Sequence, residues 1–141
     1  MLFSAFILAD SCYDVWLGNS RGNDYSQEHV SLNPNTSTKY WDFEWEEMGI
    51  YDLPAMVDHI LNVTGRSYVL YTAHGQGTTV SFMGNMFNPD LAYKIKAFFN
   101  MGPITYLMFS TNLLLQLITK TEPLATVRYI TKNPKCIHSI L

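Results

Sequence analysis

Cysteine and basic residues are both scarce in this chain of 141 residues. Its two cysteines, Cys12 and Cys136, are too few and too far apart in the sequence to predict a metal cluster or a disulfide framework. The nine basic residues are scattered and the net charge is -3, so the chain has no basic stripe of the kind that nucleic-acid binding requires. The sequence therefore predicts no metal and no nucleic-acid partner, and it leaves the redox compartment open.

Long apolar runs are missing as well. The apolar stretch at residues 104–118 is interrupted by polar residues, whereas a transmembrane helix needs about 20 predominantly apolar residues. Residues 1–9 are apolar but lack a basic region, and Asp10 follows directly, so we expect neither a signal peptide nor a transmembrane segment. A composition with 48% hydrophobic and 15% charged residues is instead that of an ordinary globular protein.

Helical and strand patterns alternate along the chain. Residues 3–9 suit the end of a helix, residues 13–17 alternate as a short strand, and residues 18–39 are rich in turn formers. Apolar residues at helical spacing predict a helix after Pro54 that ends at Gly65. Residues 67–73 and 95–99 read as strands buried on both faces, with a helix at 78–87 between them. This order predicts an α/β fold with a mostly parallel sheet and flanking helices.

The turn at residues 73–77, with the sequence AHGQG, carries most of the functional information. A nucleophile elbow has the pattern G-x-S-x-G, in which small flanking residues let a strand turn sharply into a helix and present a serine oxygen. Here Ala73 stands for the first glycine, Gly77 for the last, and Gly75 occupies the serine position. Taken alone, the pentapeptide favours a generic strand-to-helix turn.

A nucleotide site is a further interpretation of the same turn. Gly75 and Gly77 begin a G-x-G-x-x-G pattern after a strand and before a helix. The third small residue would fall at Val80, which is too bulky for the close packing of helix on strand that this motif needs. The sequence therefore predicts no nucleotide cofactor.

Longer stretches point to a family. Residues 6–23 (FILADSCYDVWLGNSRGN) closely resemble the corresponding stretch of the lysosomal, gastric and lingual acid lipases. Shorter segments resemble the same family in the same order: SLNP at 31–34, YWDF at 40–43, EM at 47–48, YDLPA at 51–55 and H-x-Q-G-T-T at 74–79. The resemblance extends over residues 3–103.

This resemblance implies a cap-bearing α/β-hydrolase, incomplete here, that cleaves triacylglycerols or cholesteryl esters by serine acyl transfer without a cofactor. The implied ligand is a lipid ester or an acyl chain. Gly75 then holds the nucleophile position and the backbone N–H of Gln76 is an oxyanion donor, with Ala73, His74 and Gly77 completing the elbow. Because glycine cannot attack a carbonyl carbon, we expect the chain to be catalytically inactive as written.

The catalytic acid and base should follow the nucleophile in the chain. The residues in a suitable order are Asp90, Glu122 and His138, and we reject all three. Asp90 is expected to be a solvated cap at a helix end, and the other two fall where the family has cap-region sequence. The family's acid, its base and its second oxyanion donor are expected outside these residues. We interpret His29 as a loop residue, His59 as a residue on a helix surface and His74 as a residue that shapes the turn.

The C-terminal third departs from the family. Residues 98–103 (FFNMGP) resemble the strand end after the elbow helix, and residues 124–132 (LATVRYITK) resemble the stretch that should follow almost immediately. The predicted organisation is a partial hydrolase core at 1–103, an insertion at 104–123 and the start of a cap-like region at 124–141. An unspliced or mispredicted exon would explain the insertion and both missing ends, so we favour a truncated or pseudogene-derived product.

Three functional hypotheses stay open on the sequence. The first is an active ester hydrolase whose glycine at position 75 is misrecorded. The second is a non-catalytic module that binds an acyl chain or a lipase, and the third is a fragment without an independent role. The resemblance implies a lysosomal or secreted protein, and Asn35 and Asn62 begin glycosylation acceptor triplets. Without a signal peptide, the compartment stays unassigned.

Overall fold

A computed structural model describes residues 2–105 of the chain. The predicted insertion beyond Thr105, the cap-like region, Cys136, Glu122 and His138 lie outside the described residues. The elements in chain order are α1 (Leu2–Asp10), a 3-10 turn (Thr38–Trp41), α2 (Trp45–Glu47), a π-helical turn (Met48–Asp52), α3 (Leu53–Thr64), β1 (Val69–His74), α4 (Gln76–Phe87), α5 (Leu91–Lys94) and β2 (Ile95–Met101).

The two strands form a parallel pair. Tyr71 lies opposite Phe98 and His74 lies opposite Met101, so the carboxyl ends of both strands meet at one edge of the sheet. Parallel neighbours need a crossover connection, which α4 and α5 supply here. The predicted strand–helix–strand unit is thus confirmed, and the described residues are compatible with the predicted α/β arrangement of helices and a parallel sheet.

One face of the sheet packs against the helices. The buried apolar cluster beneath it comes from the π-helical turn, α3, α4, α5 and the start of β2, namely Met48, Leu53, Val57, Val80, Leu91 and Ile95. Val69, Tyr71 and Phe98 pack against this cluster from the strands. No helix among residues 2–105 is both long enough and apolar enough to cross a bilayer.

Helix α3 follows its sequence pattern closely. Pro54 lies in its first turn, where the missing backbone N–H is tolerated. Gly65 ends the helix with φ 67° and ψ 13°, and its N–H donates to the carbonyl of Leu61. This is the left-handed C-terminal cap that the sequence predicts.

The prediction of a strand at residues 13–17 is wrong. This segment has no regular structure, and the sheet of the described part of the chain consists of β1 and β2 alone. A strand is defined by hydrogen bonds to a neighbour, so β-favouring residues without a partner strand remain irregular.

The prediction that both strands are buried on both faces is also wrong. Side chains alternate in exposure along each strand, and Leu70 and Phe99 on the second face are 51% and 55% exposed. Within residues 2–105 the helices that pack on the strands lie over the opposite face, so only that face is buried.

A close approach of two backbones sets the position of α4. Gly49 in the π-helical turn faces Gly84 in α4, and a Cβ on Gly49 would lie 2.7 Å from Met83 Cβ and 2.8 Å from the Gly84 nitrogen. Only a residue without a side chain fits there. The π-helical turn is thereby packed directly on the helix that begins at the candidate site.

An ion pair fixes the irregular segment at residues 11–37 to the π-helical turn. The Arg21 guanidinium donates to the Asp52 carboxylate through Nε at 2.9 Å and through Nη2 at 2.6 Å, and the Arg21 backbone N–H donates to it at 3.0 Å. The rings of Phe43 and Tyr51 each lie 5.8 Å from the guanidinium carbon. The residues around Arg21 are therefore held against the start of α3.

Candidate functional site

Gly75 forms the turn between β1 and α4. Its backbone has φ 55° and ψ -119°, a conformation that residues with a side chain rarely adopt. A Cβ at this position would meet no described atom within 4 Å. The turn is therefore sharp in its backbone and open in front of the residue.

The small residues on either side of Gly75 pack against each other. Ala73 is 2% exposed, and a Cβ on Gly77 would lie 3.1 Å from the Ala73 Cβ. The Tyr71 hydroxyl donates to the Gly77 carbonyl at 3.0 Å. Strand and helix can approach this closely because both flanking residues are small, which is the physical requirement behind the pattern predicted at 73–77.

Gln76 begins α4. Its backbone N–H belongs to the first turn of the helix, where no preceding helical carbonyl is available as acceptor. Its side-chain amide donates to the Met48 sulfur at 3.6 Å, which ties the residue to the π-helical turn. This arrangement is compatible with the oxyanion-donor role predicted for Gln76, which stays a prediction.

Two threonines at the start of α4 bind the segment after β2. The Thr78 hydroxyl donates to the Gly75 carbonyl at 2.6 Å and accepts from the Ile104 N–H at 3.0 Å. The Thr79 hydroxyl donates to the Ile104 carbonyl at 2.8 Å. The sequence predicted no role for these hydroxyls, and the only signal for them was their place in the H-x-Q-G-T-T motif.

Burial changes the acidity of the tyrosine beneath the turn. Removal of the Tyr71 ring from solvent raises its pKa from 10.0 to about 12. The phenol keeps its proton to a higher pH than a solvated tyrosine does, and it serves as a hydrogen-bond donor to the elbow.

The histidines and Asp90 do not come together at the turn as a catalytic set. His74 is exposed, and its Nε2 lies 3.3 Å from where a Cβ on Gly102 would be. His29 accepts the N–H groups of Ser31 and Leu32 in the loop, which agrees with its loop interpretation.

The remaining candidates lie elsewhere on the surface. His59 is exposed on α3 and stacks edge-on with Trp16. Asp90 is exposed at the start of α5 and makes no side-chain cap bond. Within residues 2–105, no three His, Cys, Asp or Glu side chains lie close enough together to ligate a metal ion.

Comparison with known proteins finds relatives that match most of the chain. Lipase member K of Mus musculus is 45% identical over 125 residues, which cover 89% of this chain and 31% of that protein. The lysosomal acid lipase/cholesteryl ester hydrolase of Homo sapiens is 47% identical over 107 residues, 76% of this chain and 27% of that protein. The gastric triacylglycerol lipase of Mus musculus is 47% identical over 106 residues, 75% of this chain and 27% of that protein. No family model matches the chain.

These identities define the class of protein to which the chain is related, the lipases. More narrowly, the chain belongs to the acid lipase family, as its motifs predicted. It spans less than a third of the length of the curated relatives named here.

Proposed function

We propose that this chain is part of an acid lipase family α/β-hydrolase in which Gly75 replaces the nucleophilic serine, so that it does not carry out serine acyl transfer. One observation carries the proposal. Gly75 lies between β1 and α4 with φ 55° and ψ -119°, where the strained turn of a nucleophile elbow would place the serine.

The chemistry of the family's route requires an oxygen nucleophile at this position. Glycine has no side chain, so neither attack on an ester carbonyl nor an acyl-enzyme can involve residue 75. Loss of the serine in a well-studied protease lowers turnover by on the order of 10⁶. The argument concerns one position, and it holds for any longer chain in which that position is glycine.

The ligand class follows from the relatives. Two of them are described as acting on triacylglycerol or cholesteryl ester. We infer that the ligand of this chain's parent fold is a lipid ester or its acyl chain, with the Gln76 N–H as one donor to the ester oxygen. Among residues 2–105, no atom lies within 4 Å of where a Cβ on Gly75 would be, which leaves room for such a group.

A paired assay tests the proposal. The purified 141-residue chain is assayed with p-nitrophenyl butyrate and labelled with a fluorophosphonate, with human gastric triacylglycerol lipase as the positive control. We expect no label on the wild-type chain and no hydrolysis above buffer. Hydrolysis by the wild-type chain that a fluorophosphonate abolishes would falsify the proposal, because it would reveal a nucleophile other than residue 75.

A further inference from the structure

A single buried hydroxyl joins the elbow to the segment that follows β2. Thr78 is fully buried, and its hydroxyl donates to the Gly75 carbonyl while it accepts from the Ile104 N–H. Hydroxyl groups can do both at once, whereas an apolar side chain of the same shape can do neither. Thr78 therefore connects Gly75 with Ile104, which lies 29 positions further along the chain.

Neighbouring bonds complete the connection. The Gly75 N–H donates to the Met101 carbonyl at 3.2 Å, and the Thr78 N–H donates to the Gly75 carbonyl at 3.0 Å. The Thr79 hydroxyl holds the Ile104 carbonyl. Both backbone groups of Gly75 and both backbone groups of Ile104 are thus hydrogen-bonded in one continuous network.

Glycine cannot hold this conformation by itself. A residue without Cβ visits positive and negative φ with similar ease, so its conformation is set by what binds its backbone. At Gly75 the carbonyl receives the shortest of these bonds, the 2.6 Å bond from Thr78. The shortest hydrogen bond to Gly75 therefore comes from a residue outside the elbow pentapeptide.

We propose that Thr78 is a positioning residue that maintains the elbow conformation of Gly75 and holds residues 102–104 beside the start of α4, through its hydroxyl. The proposal rests on the proposed function only in treating residues 73–77 as an elbow. Its test measures backbone protection and not ester hydrolysis, so either proposal can fail while the other stands.

Amide hydrogen exchange of the full 141-residue chain by NMR tests the role of the hydroxyl. Thr78→Val removes the hydroxyl at nearly constant volume and Thr78→Ser keeps it. Thr64→Val is the matched control, because the Thr64 hydroxyl donates to the Ile60 carbonyl within α3. We expect Thr78→Val to speed exchange of the Ile104 amide by about tenfold and to shift the Gly75 carbonyl carbon-13 resonance. Thr78→Ser and Thr64→Val should leave the Ile104 amide near its wild-type rate, because both keep its acceptor.

Three results would overturn the proposal. The first is an unchanged Ile104 amide and Gly75 carbonyl in Thr78→Val. The second is a uniform loss of protection that includes α3, since this would indicate a general effect on stability. The third is a loss of Ile104 protection in Thr78→Ser, and this result decides the matter if the valine variant does not fold by circular dichroism.

Discussion

At the scale of single residues, Gly75 separates two properties that a serine combines. The elbow conformation with φ 55° and ψ -119° is unfavourable for any residue with a Cβ, by roughly 1–3 kcal/mol. In a nucleophile elbow that strain accompanies a reactive hydroxyl. Glycine lacks the hydroxyl and also adopts this conformation without strain. The turn is therefore unstrained and has no nucleophile at residue 75.

Restoring the side chain should therefore lower stability. Gly75→Ser is expected to reduce the free energy of unfolding by about 1–3 kcal/mol, because the backbone is unfavourable although the side chain has room. Urea denaturation measures this loss in the free energy of unfolding. The control is Gly65→Ala, which also places a Cβ at positive φ in open space and should cost about 1–2 kcal/mol. A Gly75→Ser variant as stable as wild type would contradict the positive φ at this turn.

Tyr71 should make stability depend on alkaline pH. Its pKa is raised to about 12 in the folded chain and is 10.0 when solvated. The contribution of the neutral phenol to the free energy of unfolding is therefore complete below pH 10 and is lost as the pH rises towards 12. Each pKa unit corresponds to about 1.4 kcal/mol. In urea denaturation across this range, wild type should lose more stability than Tyr71→Phe. Parallel curves for the two proteins would mean that the phenol is not buried.

The phenylalanine variant has a second expected effect at lower pH. Below pH 10 it should be less stable than wild type by about 1 kcal/mol, because the hydroxyl that donates to the Gly77 carbonyl is gone. The order of the two stabilities should then reverse towards alkaline pH.

At the scale of elements, local signals were sufficient where an element depends on its own residues. Helix α3 and its end at Gly65 follow from apolar spacing and from a glycine free to take positive φ. The turn at 73–77 and the helix that ends before Pro89 follow in the same way. These parts of the fold and the frame of the candidate site could be predicted from the sequence.

Elements that depend on distant partners could not be predicted in the same way. Residues 13–17 have strand composition but no strand beside them among the described residues, and β1 lacks cover on its second face. The bridge from Thr78 to Ile104 spans 26 positions in the chain, so no local pattern announces it. Packing against distant segments decides these cases, and a single sequence does not display it.

The ion pair between the loop and the start of α3 should contribute measurably. Asp52 is 13% exposed and accepts three N–H groups of Arg21, so Asp52→Asn should cost about 1–3 kcal/mol. Asp58→Asn is the matched control, because Asp58 is 53% exposed in its pair with Lys94 and the change should stay within about 0.5 kcal/mol. Urea denaturation measures both losses. Equal losses in the two variants would contradict a larger contribution of the Arg21–Asp52 pair to the free energy of unfolding.

At the scale of the whole molecule, the described chain has one covered sheet face and one open face. Leu70, Phe99 and Met101 on the open face are 51%, 55% and 44% exposed. Sheets of two strands with an apolar face are poorly stable alone, and their unpaired edges are templates for association. The strands that lead into and flank the elbow therefore also present an apolar surface on which another molecule can pack.

This exposure predicts self-association of the 141-residue chain through the sheet face. Sedimentation should give an average mass above 16.1 kDa that falls towards it in the double variant Leu70→Lys, Phe99→Lys, because a charge opposes burial of that face. Val63→Lys is the matched control, since Val63 is similarly exposed, at 57%, but belongs to α3 and not to a strand. If the control lowers the mass as much as the double variant does, the added charge and not the sheet face is responsible. If neither the double variant nor the control lowers the average mass, association runs through another surface or through the strand edges. Exposure of Leu70 and Phe99 would then not be the cause of association.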